Sequence, residues 1–330
     1  MSTPMRVDMH THFITTTLAA ALRSRDELPH IVNREGREFV EYAPGVAYPL
    51  LADMVDLDEK LARIDAAGID FAVLSVNIPG LDHFPAADAP TLARDVNDEL
   101  SSVVARYPGR LAALASLPLQ TPGPAAKELE RAVGLGLKGA MVYSNVAGRP
   151  LDEVDFRGVF AAAAELDVPV LLHPTAPLYS RNIESHMLVP VVGFLFDTTV
   201  ATLRLVYEGL YDRHPDLKLI IGHTGSLIPH LAGRIDYEGG RLGAGSLLQT
   251  PPIEALRRLY TDTISAWVPA LRSAIEFFGA ERILLGTDAP FWEADMTYGP
   301  LAELGLDPET AARISGENAV RLFNLKPVST

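Results

Sequence analysis

The sequence contains no cysteine. This absence excludes a disulfide framework, a thiolate nucleophile and a thiolate metal ligand, so any bound metal has to be held by histidine and carboxylate side chains. No uninterrupted apolar run reaches the roughly 18 residues that a membrane-spanning helix needs, and no signal-peptide pattern opens the chain. We therefore expect no membrane partner, and the cysteine-free composition favours the reducing cytoplasm.

Positive charge is also scarce, because 28 lysines and arginines stand against 42 aspartates and glutamates, for a formal net charge of -14. A field of this sign repels polyphosphates, so nucleic acid is not an expected partner. A small anionic substrate remains compatible with the composition, since a bound divalent cation reverses the potential inside a single pocket.

Apolar residues are abundant, at 48% of 330 residues, which suffices for one α/β barrel. Short β-branched or apolar runs alternate with longer amphipathic segments, a pattern that predicts repeated strand–helix units. The predicted strands are Met5–Met9, Ile69–Val76, Leu111–Leu117, Leu137–Tyr143, Val168–Leu172, Leu217–Ile221, Leu259–Ile264 and Arg282–Leu285. The predicted helices are Asp53–Ala67, Ala89–Tyr107, Gly123–Leu135, Phe156–Leu166, Phe194–Arg213, Ile228–Glu238 and Val268–Phe278. Eight such units predict an α/β fold, a TIM (β/α)8 barrel, as a single domain over residues 1–330.

Two long insertions, residues 13–51 and 175–193, interrupt this rhythm directly after predicted strands 1 and 5. The carboxyl ends of the strands form the C-terminal face of a TIM barrel, where active sites lie, so both insertions are interpreted as walls or lids of a pocket. An oligomer contact or a mobile loop is the alternative interpretation. Residues 307–325 are predicted to form C-terminal helices that pack on the barrel.

Polar side chains of the metal-binding types follow several of the predicted strands. His10 and His12 are separated by one residue at the end of the first strand, so their imidazoles point the same way. A lone His-x-His pair more often only forms hydrogen bonds in a loop. Here, however, His173, His223 and Asp288 also follow apolar strands, and packing gives a core strand no reason to end repeatedly in such residues.

With these motifs the sequence resembles the amidohydrolase superfamily, in the branch of amino-carboxymuconate-semialdehyde decarboxylase and the aromatic acid decarboxylases. The resembling segments are Val7–Phe13, Leu172–Pro174, Gly222–Gly225, Gly286–Phe291 and Gly316–Phe323.

The resemblance implies that His10, His12, His173 and Asp288 bind one divalent metal ion, zinc by first expectation and manganese as the alternative. It also implies that His223 is a catalytic histidine, and Asp288 is a candidate for proton transfer as well as a ligand. Imidazole titrates near neutral pH, which suits His223 to this task. Binuclear members of the superfamily use a carboxylated lysine at the end of strand 4. The only lysine of that strand, Lys138, stands at its entrance, which predicts a single metal.

Four further residues are candidates for substrate contacts. Arg181 and His186 lie in the second insertion, and Phe291 and Trp292 follow Asp288 directly. The two aromatic side chains are suited to lining the pocket of an aromatic substrate, although core packing explains them equally well.

For the reaction, the resemblance favours metal-dependent, non-oxidative decarboxylation of an aromatic, hydroxybenzoate-like or conjugated unsaturated carboxylic acid. The same ligand set also suits a hydrolase of a lactone, ester or amide, in which the metal activates water. A hydratase and a catalytically inactive binding protein are lesser alternatives. The expected partners are a small carboxylic acid as substrate and further copies of the chain in a homodimer or larger homo-oligomer.

Overall fold

The computed structural model describes residues 4–179, 182–243 and 247–326. Within these ranges, eight parallel strands form a closed ring with helices outside it, which confirms the TIM-barrel prediction. Numbered 1 to 8 in chain order, the barrel strands are Val7–His12, Phe71–Ser75, Leu111–Ala113 with its continuation Ala115–Ser116, Ala140–Tyr143, Val170–His173, Leu219–Ile221, Tyr260–Asp262 and Ile283–Leu284.

Strand 3 joins the two parts of the ring, because its first half pairs with strand 2 and its second half with strand 4. The ring closes between strands 1 and 8, where the Met9 amide donates to the Leu285 carbonyl at 2.9 Å and Thr11 bridges Ala289. Every residue of strand 1 is buried. Its histidines therefore lie inside the protein and not in a solvated loop.

The α-helices outside the ring include a counterpart of every predicted helix, although Asp53–Ala67 is divided into two helices and Pro252–Leu256 and Asp295–Glu303 were not predicted. They are Ala52–Val55, Leu57–Ala66, Ala89–Arg106, Pro122–Gly134, Arg157–Glu165, Phe194–Tyr207, Leu210–Arg213, Ile228–Arg234, Pro252–Leu256, Val268–Phe278, Asp295–Glu303, Pro308–Ala312 and Asn318–Leu322. The predicted helix 194–213 is broken at Gly209, whose φ of 74° lies in the left-handed region. The predicted helix 228–238 changes to a π-helix at Ile235.

The first insertion folds into structure that the periodicity analysis did not identify. It contains a helix, Thr16–Arg23, and an antiparallel sheet of three strands, His30–Arg34, Arg37–Ala43 and Val46–Pro49. Val40, Tyr42 and Tyr48 of this sheet are buried. Because the sheet packs its apolar face on the barrel, it forms a wall over the C-terminal face.

The second insertion ends in a π-helix, Val189–Gly193, which continues directly into the helix Phe194–Tyr207. By length and hydropathy alone, the combined segment 189–207 passes as a membrane-spanning helix, but half of it is buried inside the protein. A core helix of a barrel passes the same test, so the segment gives little support for a membrane.

Candidate metal centre

Five polar side chains converge inside the mouth of the barrel. His10 and His12 come from strand 1, His173 ends strand 5, His223 follows strand 6, and Asp288 follows strand 8. The histidine ring centroids lie 4.9–5.6 Å apart in the five closest pairs. The structure therefore brings together, in one buried cluster, all five residues that the strand ends suggested.

The cluster has the donor set and the spacing of a divalent metal site. One ligand atom from each of His10, His173, His223 and Asp288 lies within 4.8 Å of the others. His12 joins them, since its Nε2 lies 2.9 Å from Asp288 Oδ1. His10 Nε2 is buried without a hydrogen-bond partner among the described residues, although it faces the Asp288 carboxylate at 3.6 Å. A metal ion is the group that satisfies such a nitrogen, so the residues fit a cation.

The electrostatics of His12, His173 and Asp288 favour the protonation states that a metal requires. Burial lowers the pKa of His12 to about 4. Burial and the neighbouring imidazoles hold the pKa of His173 well below its usual value. Burial opposes ionisation of Asp288, but hydrogen bonds with His12 and His223 prevail and hold its pKa well below the usual value. Neutral imidazoles and an ionised carboxylate are the forms that bind a divalent ion.

Asp262, at the end of strand 7, is a site residue that the sequence analysis missed. Its Oδ2 lies 2.8 Å from His10 Nδ1 and accepts the His223 amide at 3.0 Å, while its Oδ1 accepts the Thr224 amide at 3.0 Å. Burial opposes a charge on His10, yet the hydrogen bond with Asp262 raises its pKa. Asp262 thus favours a positive charge at the His10 ring, which a divalent cation held by His10 would supply.

A protein oxygen also lies against the Nδ1 atom of His173 and of His12. His173 Nδ1 lies 2.6 Å from the Pro174 carbonyl, and His12 Nδ1 lies 3.3 Å from the Ser75 hydroxyl. With Nδ1 engaged by a protein oxygen in each case, Nε2 is left for the metal. The signal for Asp262 was present in the sequence, because Thr261-Asp262-Thr263 also ends an apolar strand in a metal-binding residue type.

His223 is held in an unusual backbone conformation. His223 and Thr224 both have φ of 59°, in the left-handed region that non-glycine residues rarely adopt. The Asp262 carboxylate accepts both of their amides and so fixes this turn. The turn places His223 Nε2 at 3.5 Å from Asp288 Oδ2. The turn thereby positions the His223 ring against the Asp288 carboxylate at the cluster.

A cavity of about 700 Å3 opens above the cluster, and His173, His223 and Asp288 line its floor. Its walls are mostly aromatic and aliphatic: Tyr42, Val46, Tyr48, Ile78, Met187, Pro190, Val191, Phe194, Leu195, Leu227, Ile264, Phe291 and Trp292. A pocket of this size with apolar walls and a polar floor suits a small aromatic acid.

The predicted substrate contacts occupy different places relative to this cavity. Phe291 and Trp292 line it, in agreement with their prediction as wall residues. His186 is exposed and does not line it; both His186 and Met187 have φ of 59°, and this turn directs Met187 to the cavity instead. Arg181 lies outside the described residues.

The walls also include residues that sequence reasoning did not single out. Tyr42, Val46 and Tyr48 come from the sheet of the first insertion. Asn77, which follows strand 2, lies beside the Tyr48 hydroxyl, and its buried amide nitrogen makes no hydrogen bond of normal geometry within the described residues. Asn77 therefore contributes an amide beside Tyr48 at the edge of an otherwise apolar wall.

Known proteins resemble this chain in sequence and in architecture. The sequence model of the amidohydrolase family matches residues 7–325. The chain is 34% identical over 290 residues to a gamma-resorcylate decarboxylase of Rhizobium radiobacter, an alignment that covers 81% of this chain and 87% of that protein.

Two solved structures extend the comparison. A 5-carboxyvanillate decarboxylase of Sphingomonas paucimobilis superimposes with a TM-score of 0.87 at 27% identity, over 98% of this chain and 100% of that one. A dihydroxybenzoic acid decarboxylase of Polaromonas sp. JS666, with bound manganese and the inhibitor 2-nitroresorcinol, gives a TM-score of 0.79 at 28% identity, over 98% and 97% of the two chains.

Proposed function

The chain belongs to the amidohydrolase family, and from that membership we propose that it is a metal-dependent, non-oxidative decarboxylase of a hydroxybenzoate-like acid. The observation that carries the proposal is the cluster of four histidines and Asp288, of which His173, His223 and Asp288 line the floor of an apolar cavity. Similarity to gamma-resorcylate decarboxylase at 34% identity supports the same reaction class.

His10, His12, His173 and Asp288 are proposed to hold the ion. When bound there, a divalent cation supplies a Lewis acid that anchors the carboxylate and a neighbouring hydroxyl of the substrate and offsets negative charge. Three imidazoles with one carboxylate suit zinc, which we keep as the first proposal for its identity. Manganese, which the Polaromonas relative binds, is the competing ion.

His223 and Asp288 are proposed to deliver the proton, since His223 Nε2 and Asp288 Oδ2 lie 3.5 Å apart at the cavity floor. The proton goes to the ring carbon that bears the carboxylate, which interrupts the conjugation of the ring. The bond between that carbon and the carboxylate then breaks, carbon dioxide leaves, and the electron pair of the broken bond restores the ring. Solvent returns a proton to the pair and completes the cycle.

The apolar walls are proposed to bind the ring and to exclude water from the reacting carbon. Phe291 and Tyr48 meet edge to face, with ring centroids 5.3 Å apart, and His12 lies 6.0 Å from the Phe291 ring. This packing places an aromatic wall directly beside the metal cluster. A hydroxyl of the substrate ring is suited to accept a hydrogen bond from the side-chain amide of Asn77.

The cellular setting belongs to the same proposal. We place the protein in the cytoplasm, in keeping with its cysteine-free composition. We also propose a homo-oligomer, supported by exposed apolar side chains beside the cavity, among them Tyr179, Met187, Val191 and Phe196. Light scattering of the purified protein measures the assembly directly.

The experiment compares metal-free protein with protein reloaded with zinc or manganese. Carbon dioxide release is measured from 2,6-dihydroxybenzoate and from benzoate, which lacks the hydroxyls. Hydrolysis of an activated ester is measured in parallel with the same protein samples. We expect metal-dependent release from the dihydroxybenzoate and none from benzoate. Metal-dependent ester hydrolysis without carbon dioxide release from any hydroxybenzoate would overturn the decarboxylase in favour of a hydrolase.

A further inference from the structure

Asp8 is a buried carboxylate on strand 1 that belongs to neither the ligand set nor the proton pair. Its side chain is 1% exposed. Oδ1 accepts the amides of His10 and Thr287, each at 3.1 Å, and Oδ2 accepts the Thr287 hydroxyl at 2.6 Å. Three of its contacts therefore go to two segments of chain that are far apart in sequence.

Each of these two segments carries a metal-binding residue. His10 is on the first, and Asp288 follows Thr287 directly on the second. The segments also meet through the Asp288 amide, which donates to the His10 carbonyl at 2.8 Å. Asp288 has φ of 58°, a left-handed conformation that persists only when its surroundings fix it. The contacts of Asp8 with Thr287 are among the restraints that do so.

A buried ammonium group, that of Lys60, lies near Asp8. Lys60 is fully buried, and its Nζ lies 3.4 Å from the Thr11 hydroxyl and 3.6 Å from Asp53 Oδ2. Lys60 also attracts Asp8 electrostatically. A buried carboxylate that accepts three hydrogen bonds from two chain segments restrains both segments, because breaking any of these bonds leaves a buried polar group unpaired.

We propose that Asp8 is a positioning residue that fixes the His10 segment against the Asp288 turn, so that both side chains reach one divalent ion. This inference rests on the proposed metal site and extends it to a residue that touches neither ion nor substrate. Residues that support metal ligands in this way typically account for about 10–100-fold in metal affinity or activity.

The test measures Mn(II) affinity by competition with a chelator, together with kcat and KM for 2,6-dihydroxybenzoate. Asp8→Ala removes all three hydrogen bonds and is expected to weaken Mn(II) binding about 10–100-fold and to lower kcat more than it raises KM. Asp8→Asn retains an oxygen that accepts both amides, so it is expected to recover most of the affinity. Thr287→Val removes one contact while keeping side-chain volume, and we expect an intermediate loss.

Thr202→Val is the matched control, because its buried hydroxyl donates to the Thr198 carbonyl within the helix Phe194–Tyr207, away from Asp8 and Thr287 in the sequence. It is expected to leave Mn(II) affinity unchanged. In the double variant Asp8→Ala with Thr287→Val, the second change is expected to add little, because both remove the same tie.

The outcomes separate this inference from the proposed function. Wild-type protein that binds no Mn(II) and no zinc would overturn both. If Thr287→Val and a folded Asp8→Ala variant both bind Mn(II) as tightly as wild type, with unchanged kcat, the positioning role alone is overturned. Should Asp8→Ala fail to fold, Thr287→Val decides the question by the same readouts.

Discussion

The floor and the walls of the cavity are built in different ways. The floor consists of residues at the ends of barrel strands, buried and held by Asp262 and other protein oxygens. About half of the apolar wall residues come from the two insertions, and Met187 and Val191 of the second insertion are 70% and 65% exposed at the rim. This difference indicates that the strand ends of the barrel carry the reacting groups, whereas the insertions and other loops shape the part of the cavity that contacts a substrate.

The largest expected effect comes from breaking the floor. His173→Ala removes a metal ligand and should lower carbon dioxide release by about a thousand-fold or more, together with loss of bound metal. His214→Ala is the matched control, since His214 follows the helix Leu210–Arg213 and is not part of the cluster. Elemental analysis and the release assay check both variants; a fully active, metal-containing His173→Ala protein would contradict the assignment.

Lys60, behind the floor, should make stability depend on pH. Burial lowers its pKa from 10.5 to about 8. Between these values the unfolded chain binds more protons than the folded one, so stability rises with pH, by up to about 3 kcal/mol. Lys60→Met has no group that titrates here, so its free energy of unfolding should not show this rise. Urea unfolding from pH 7 to 10.5 should show the free energy of unfolding of wild type rising relative to that of the variant above pH 8. A difference between the two proteins that stays constant with pH would contradict the burial of a charged Lys60.

A smaller effect is expected at the support of the floor. Asp262→Asn keeps an oxygen for the His223 amide but loses the charge that favours a cation at His10, so metal affinity should fall about 10–100-fold. Calorimetric titration with Mn(II) measures it. Asp212→Asn is the control. Asp212 lies in the helix Leu210–Arg213 and its carboxylate accepts the Gln249 and Thr250 amides, so this change should leave the Mn(II) affinity unaltered.

The smallest effect is expected at the walls. Phe291→Ala removes a ring that packs against Tyr48 and should raise KM about five- to tenfold while metal content stays constant. Trp267→Ala alters an exposed aromatic residue that does not line this cavity and should leave KM unchanged. A loss of bound metal in Phe291→Ala as large as that in His173→Ala would contradict the distinction between walls and floor.

The same distinction explains what the sequence predicts well. Strand-end positions repeat with the barrel units, so His10, His173 and Asp288 are recognisable from their place after apolar runs. Asp262 obeys the same rule and was overlooked. The walls obey no local rule, because Tyr48 reaches the cavity only through the packing of a three-stranded sheet on the barrel. The contacts of Asp8 with Thr287 join residues 279 positions apart, a separation that periodicity does not encode.

The most direct test of the decarboxylase is the reaction of 2,6-dihydroxybenzoate in heavy water with the metal-loaded protein. Proton delivery to the carbon that loses carbon dioxide predicts one deuterium at that carbon of the resorcinol product, detected by mass spectrometry and NMR. Parallel incubation of resorcinol alone controls for exchange. Unchanged dihydroxybenzoate with no deuterated resorcinol, from protein shown to contain metal, would contradict the account.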